Sequence, residues 1–231
     1  MTQLLESTTI SELPLRQHML RQNLRRCMGT LLPRRRFMID GPPGANASCL
    51  TFDDGPHPEY TPELLDVLAL LDVKATFFVV GKHVESHPDI VQRMHSEGHT
   101  IGHHTYSHSD PRRTTSDALL QELQRTDRLL DDIVQITPTI FRPPMGKLSI
   151  GKLWALARVG QTIVLWNNDP KDFARPNVNE LRARLRRRPI EPRDIVLMHD
   201  NRPLAAMALP EIIDRARADG IAFETVSNWA V

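Results

Sequence analysis

An alternation constrains this chain more than any other feature. From Ser48 onward, short apolar runs alternate with stretches whose apolar residues recur at helical spacing. Seven runs read as strands, over residues 48–52, 75–80, 99–104, 139–143, 162–166, 194–199 and 221–226. Between them, residues 117–136 carry Leu119, Leu120, Leu123, Leu130, Ile133 and Val134 on one face. Helix-start signals stand at Thr61-Pro62, at His87-Pro88, and at Asn177 with Glu180 three residues on. Gly98, Gly160 and Gly220 each precede a strand, where a left-handed residue ends a helix. Strands that alternate with helices pair in parallel through right-handed crossovers. The chain is therefore an α/β protein, either an open doubly wound sheet or a barrel.

The polar residues favour the barrel. Just past the strands come Asp53 and Asp54, then His104 and His108, then Arg142, then Asp169 and Asp172, then His199. A barrel gathers strand ends around one mouth, whereas an open sheet spreads them apart. A length of 231 residues suits one domain with a sizeable core.

The first 47 residues differ from the rest. Arg16, Arg21, Arg25, Arg26 and Arg34–Arg36 face only three acids there. Leu20, Leu24, Cys27, Met28, Leu31 and Leu32 fall at helical spacing, so a basic amphipathic helix is expected, with a loop over 40–48. Together with the basic run at 181–189, this extension is a candidate for contact with a membrane surface or anionic lipid. The net charge is only +1 and no nucleic-acid-reading module is present, so a nucleic-acid partner is not expected. Cys27 and Cys49 form neither a metal-type pair nor a disulfide framework. No apolar run reaches about 18 residues, the length a membrane-spanning helix needs. The N-terminus lacks a basic region followed by an apolar leader. The expected location is cytoplasmic, at most peripheral to the inner membrane face.

His104 and His108 can present two imidazoles on one side of a turn. One added carboxylate completes a three-ligand catalytic zinc set, which would also accept cobalt, nickel or iron. Two adjacent aspartates then have a purpose. Carboxylates held this close are not equivalent, so one can bind a cation while the other stays free as a base. Taken singly, the histidine pair reads more readily as a solvated turn, and the aspartates as a surface turn.

Five motifs occur in order: T-F-D-D-G (51–55), H-T-Y-S-H (104–108), R-P-P-M-G (142–146), D-P-K-D-F (169–173) and L-M-H (197–199). With them the chain resembles the polysaccharide deacetylases of carbohydrate esterase family 4, the NodB-homology domain, over roughly residues 48–228. The resemblance implies a distorted (β/α)7 barrel over 48–231, behind the N-terminal extension 1–47. It implies hydrolysis of N-acetyl groups from an amino sugar in a polysaccharide, oligosaccharide or carrier-linked glycan, aided by one divalent metal ion, zinc first. By the same resemblance Asp53 is the general base, and Asp54, His104 and His108 are the metal ligands. Arg142 orients the base, His199 is the general acid, and Asp169 raises the pKa of that histidine, a task in which Asp172 could share. Leu197 would line the acetyl pocket, and the N–H of Met145 would meet the oxyanion. Met145 replaces the family's usual tyrosine and Phe173 its tryptophan, which leaves a less aromatic rim. Trp166 ends an apolar run, which points to core packing, with a pocket wall as the second reading. Two other functions stand beside this one. One is hydrolysis of another C–N bond on the same metal site; the other is a non-catalytic, glycan-binding or membrane-associated barrel.

Overall fold

The structure, a computed structural model, describes residues 32–175 and 177–230. Most of the expected basic helix lies outside them; its described end, Leu32 and Arg34–Arg36, is a bend and a turn rather than helix. Among the described residues, no helix is long and apolar enough to cross a membrane.

Among the described residues eight strands form the sheet: β1 (Phe37–Met38), β2 (Ala47–Asp53), β3 (Thr76–Val79), β4 (Thr100–His103), β5 (Ile140–Phe141), β6 (Thr162–Val164), β7 (Ile195–His199) and β8 (Ala222–Phe223). The helices are α1 (Tyr60–Leu70), α2 (Gly81–Ser86), α3 (Pro88–Ser96), α4 (Ser116–Val134), α5 (Ile150–Arg158), α6 (Val178–Arg187) and α7 (Leu204–Ala218). Strand order is β1-β6-β5-β4-β3-β2-β7, with β8 pairing onto the start of β2. Every strand pair is parallel. The α/β fold read from the alternation is the fold that forms.

The barrel is distorted to the point of opening. No strand ladder joins β7 to the β1–β6 edge. An isolated bridge between Asn168 and Val196 stands there instead, with Leu197 N–H donating to the Asn168 carbonyl at 2.9 Å. The physical cause is the brevity of β6. Its ladder covers only Thr162–Val164, and the chain then turns away to form the D-P-K-D-F loop. Strand β1 lies inside the stretch that the sequence assigns to the extension. Phe37 and Met38 pair with Ile163 and Val164 of β6.

Local signals explain the helix ends. Thr115 caps α4 by accepting from Ala118 N–H, Ser149 caps α5 through Lys152 N–H, and Asn177 caps α6 through Glu180 N–H. Gly98, Gly160 and Gly220 all have positive φ. Thr61 is not a cap; it is buried, and its hydroxyl reaches Asp200.

Strand parity sets two layers. Outward residues such as Leu50, Phe52, Phe77, Val79, Val196 and Met198 pack against Leu64, Leu65, Leu68, Leu209 and Ile213 of the helices. Each such side chain buried contributes roughly 1.5–3 kcal/mol. Inward residues Cys49, Phe78, Ile140, Val164 and Ile195 fill the barrel with Met38, Val226 and Trp229. Gly102 has no side chain because the interior has no room for one: a Cβ there would lie 2.8 Å from both Ile140 and Phe78. The apolar plug closes the lower barrel and leaves the upper end to polar groups.

Candidate active site

The same inward parity that gives Cys49 and Ile195 to the plug gives Thr51, Asp53, Leu197 and His199 to the mouth. Thr51 pairs with Leu197 and Asp53 with His199, so these four side chains share one face. Arg142 follows inward Ile140 by two positions, and His104 follows inward Gly102 by two. Convergence at the mouth is thus a consequence of register.

Arg142 is fully buried above the plug, its guanidinium carbon 4.1 Å from the Phe78 ring centre. It donates to Asp53 Oδ1 at 2.7 Å, to Thr51 Oγ1 at 2.7 Å, and to the carbonyls of Val164 and Leu165 at 3.2 Å. Four acceptors satisfy a charge that would otherwise be costly to bury. Burial raises the pKa of Asp53, opposed by the charges of Arg142 and His199.

Asp54, His104 and His108 each offer one donor atom, and the three atoms lie within 4.8 Å of one another. Asp54 Oδ1 is 3.6 Å from His104 Nε2 and 3.2 Å from His108 Nε2. Donors on a tetrahedral ion at about 2.0–2.2 Å stand roughly 3.3 Å apart, so the two distances from Asp54 are near those around a zinc-sized cation. His104 Nδ1 lies 2.8 Å from the Arg142 carbonyl, which accepts its N–H and leaves the Nε2 lone pair facing the other donors. Burial lowers the His104 pKa to about 3, so the ring is neutral, as a ligand must be. Asp53 Oδ2 stands 3.8 Å from His104 Nε2, adjacent to the donor set. Asp54, Thr105, His108 and Met145 all have positive φ without being glycine. Such strained residues gather at functional sites.

On the opposite wall, His199 Nδ1 is 2.8 Å from Asp172 Oδ1. Burial works to lower the His199 pKa, but the hydrogen bond and charge of Asp172 and the charges of Asp53 and Asp54 override it, raising it to about 9. The contact assigned to Asp169 from the sequence is made by Asp172 instead. Lys171 adopts a left-handed conformation, and the 3₁₀ turn Asp172–Ala174 that follows aims Asp172 at β7. Asp169 Oδ1 accepts from Lys171 N–H within its own loop.

The rim residues divide. Phe173 is about half exposed and meets the His199 ring edge-on at 5.6 Å. Met145 is likewise about half exposed. Leu197 is buried beside Thr51. Trp166 is partly buried against the inner cluster, with the Arg142 guanidinium 5.6 Å from its ring.

Two neighbours of Asp54 carry no signal in the sequence. Asn201 Nδ2 donates to Asp54 Oδ2 at 3.1 Å, and His83 Nδ1 meets the Asp54 carbonyl at 2.8 Å. His103 points outward, to Asp127 of α4 at 2.8 Å, and takes no part in the donor set.

Comparison with known proteins finds close relatives of the chain. A family model described as polysaccharide deacetylase matches residues 40–164. The chain is 34% identical over 184 residues to a peptidoglycan-N-acetylglucosamine deacetylase of Bacillus cereus, covering 78% of this chain and 85% of that one. It is 38% identical over 161 residues to a chitooligosaccharide deacetylase of a Bradyrhizobium species, covering 69% and 73%. A crystal structure of a peptidoglycan N-acetylglucosamine deacetylase superposes with a TM-score of 0.80 at 31% identity, over 84% of this chain and 92% of that one.

Proposed function

The chain belongs to the polysaccharide deacetylase family, and from that membership we propose that it is a metal-dependent deacetylase of N-acetylglucosamine units in a glycan. One observation carries the reading. A carboxylate fixed by a buried arginine, Asp53, adjoins a three-donor cation set and faces a raised-pKa histidine across one strand pair. That arrangement is a base, an electrophile site and an acid around one mouth.

Asp54, His104 and His108 would hold the divalent cation, zinc first, with cobalt, nickel or iron accepted by the same donors. When bound, the cation supplies Lewis acidity, lowering the pKa of water and polarising the acetyl carbonyl. Asp53 takes a proton from the attacking water as its oxygen bonds to the acetyl carbon. Arg142 keeps Asp53 ionised and fixed in direction. The backbone N–H of Met145 donates to the oxyanion that develops. His199 gives its proton to the amide nitrogen as the C–N bond breaks, so acetate and a free amine leave. Asp172 keeps His199 charged until that moment. Leu197 packs beside the acetyl methyl, while Phe173 and Trp166 wall the sugar side.

The relatives' names support two substrate classes, peptidoglycan and chito-oligosaccharides. Acetate release should be measured from both, with zinc or cobalt supplied. Release from at least one supports the reading. Silence on both, from protein proven to carry the metal, would refute it.

A further inference from the structure

His108 is the least enclosed donor of the cation set; its side chain is 30% exposed, against 2% for His104. Its position depends on the turn that carries it. That turn is strained at both ends: Thr105 has φ 66° and His108 has φ 55°. For a β-branched residue such a φ is a true outlier, and each position costs about 1–3 kcal/mol unless the surroundings enforce it.

Glu122, seven residues into the run that Thr115 caps, supplies the enforcement. Its Oε2 accepts from two successive backbone N–H groups, Tyr106 at 3.0 Å and Ser107 at 3.2 Å. Its Oε1 accepts from the Ser107 hydroxyl at 2.6 Å. Successive N–H groups aimed at one carboxylate form an anion-binding concavity, here filled by the protein itself. From the far side, Gly81 N–H donates to the Thr105 carbonyl and Lys82 N–H to the Tyr106 carbonyl, both at 3.0 Å. Inside the turn, His108 N–H donates to Thr105 Oγ1 at 2.9 Å. Five residues further along α4, Asp127 holds His103 at the other end of the segment.

We propose that Glu122 is a positioning residue of the cation site: it holds the Tyr106–Ser107 backbone so that the strained His108 presents Nε2 to Asp54. The proposal rests on the metal-site reading above. Glu122 touches neither the cation nor the substrate. Its loss would free two backbone N–H groups, let Thr105 and His108 relax out of the left-handed region, and turn the His108 ring away.

The test measures cation affinity, by chelator competition, and the visible spectrum of the cobalt-loaded full-length chain. Glu122→Ala should weaken zinc and cobalt binding roughly 10- to 100-fold, the range found when the partners of ligands are removed. The cobalt spectrum should lose intensity as one nitrogen donor leaves. Glu122→Gln keeps an acceptor oxygen for both N–H groups and should bind within a few-fold of wild type. Glu122→Asp keeps the charge but falls short of the turn, and should resemble the alanine variant; it also serves if the alanine variant does not fold. The thermal midpoint of metal-free protein should differ little among variants. Wild-type affinity and spectrum in Glu122→Ala, or in Glu122→Asp, would overturn the proposal. Absence of cation binding by the wild-type chain would overturn the metal-site reading itself, a distinct outcome.

Discussion

Asp172 grips His199 at two points. One carboxylate oxygen lies 2.8 Å from Nδ1 of the ring, and the other accepts the backbone N–H of the same residue at 2.7 Å. The first contact fixes the tautomer and favours the charged ring; the second fixes Asp172 itself. An acid that protonates a departing amine must keep its proton at working pH, and this pair would let His199 meet that demand in the proposed reaction.

The pH profile follows. On the proposed mechanism activity needs protonated His199, so it should fall as pH rises through the His199 pKa, about 9 in the metal-free chain. Asp172→Asn removes the hydrogen bond and charge that raise that value. The descending limb should then move to lower pH, and kcat should drop. Asp169→Asn should move it far less. A rate profile that shifts with Asp169→Asn and not with Asp172→Asn would reverse the assignment.

The Asp53–Arg142 pair should reveal itself in both activity and stability. Asp53→Asn removes the proposed base, so acetate release should be lost while cation binding persists. It also strands a buried guanidinium, and breaking such a pair costs about 3–5 kcal/mol. Denaturant unfolding of the variant should register that loss. Full activity in Asp53→Asn would rule out the base assignment.

Gly55 follows the two aspartates because nothing larger fits. A Cβ there would stand 1.9 Å from Asp200 Oδ2 and 2.4 Å from Asp200 Cγ, and Asp200 is buried. Gly55→Ala should therefore lower the thermal midpoint and weaken cation binding, because the displaced turn carries Asp54. Adding Asp200→Ala should recover part of the midpoint, a coupling that a double-mutant cycle reads directly. Strict additivity would contradict the steric account.

Asp200 also predicts a pH dependence of stability. Burial raises its pKa to about 7, against the hydrogen bond from Thr61 that lowers it. The folded chain holds this proton more tightly than the unfolded chain, whose aspartate titrates near 4. The stability it contributes is therefore present in acid and lost as pH rises from about 4 to about 7. In Asp200→Asn, metal-free protein should show a shallower slope across that window. An unchanged slope would show that Asp200 ionises in the folded chain as it does in the unfolded one.

The parts of this architecture legible in the sequence were those written as period or order. Alternating runs gave the parallel α/β fold, and motif order at strand ends gave the convergence of Asp53, Asp54, His104, His108, Arg142 and His199. What escaped was set by packing between distant segments. Asn201 and His83 reach Asp54 across 147 and 29 residues, and no local pattern marks them. Asp169 and Asp172 lie three apart in one motif, and only the backbone turn at Lys171 decides which meets His199. Strand β1 is two residues behind an arginine triplet, too short to carry a period. The opening of the barrel follows from where β6 stops pairing, which depends on its neighbours more than on its own apolar run.

The most direct test is anomalous diffraction from crystals grown with zinc or cobalt. The account predicts one strong peak within bonding distance of Asp54 Oδ1, His104 Nε2 and His108 Nε2, with Asp53 still paired to Arg142 and not coordinating. No peak between those three side chains in fully loaded crystals, or a peak that takes Asp53 as a ligand, would contradict it.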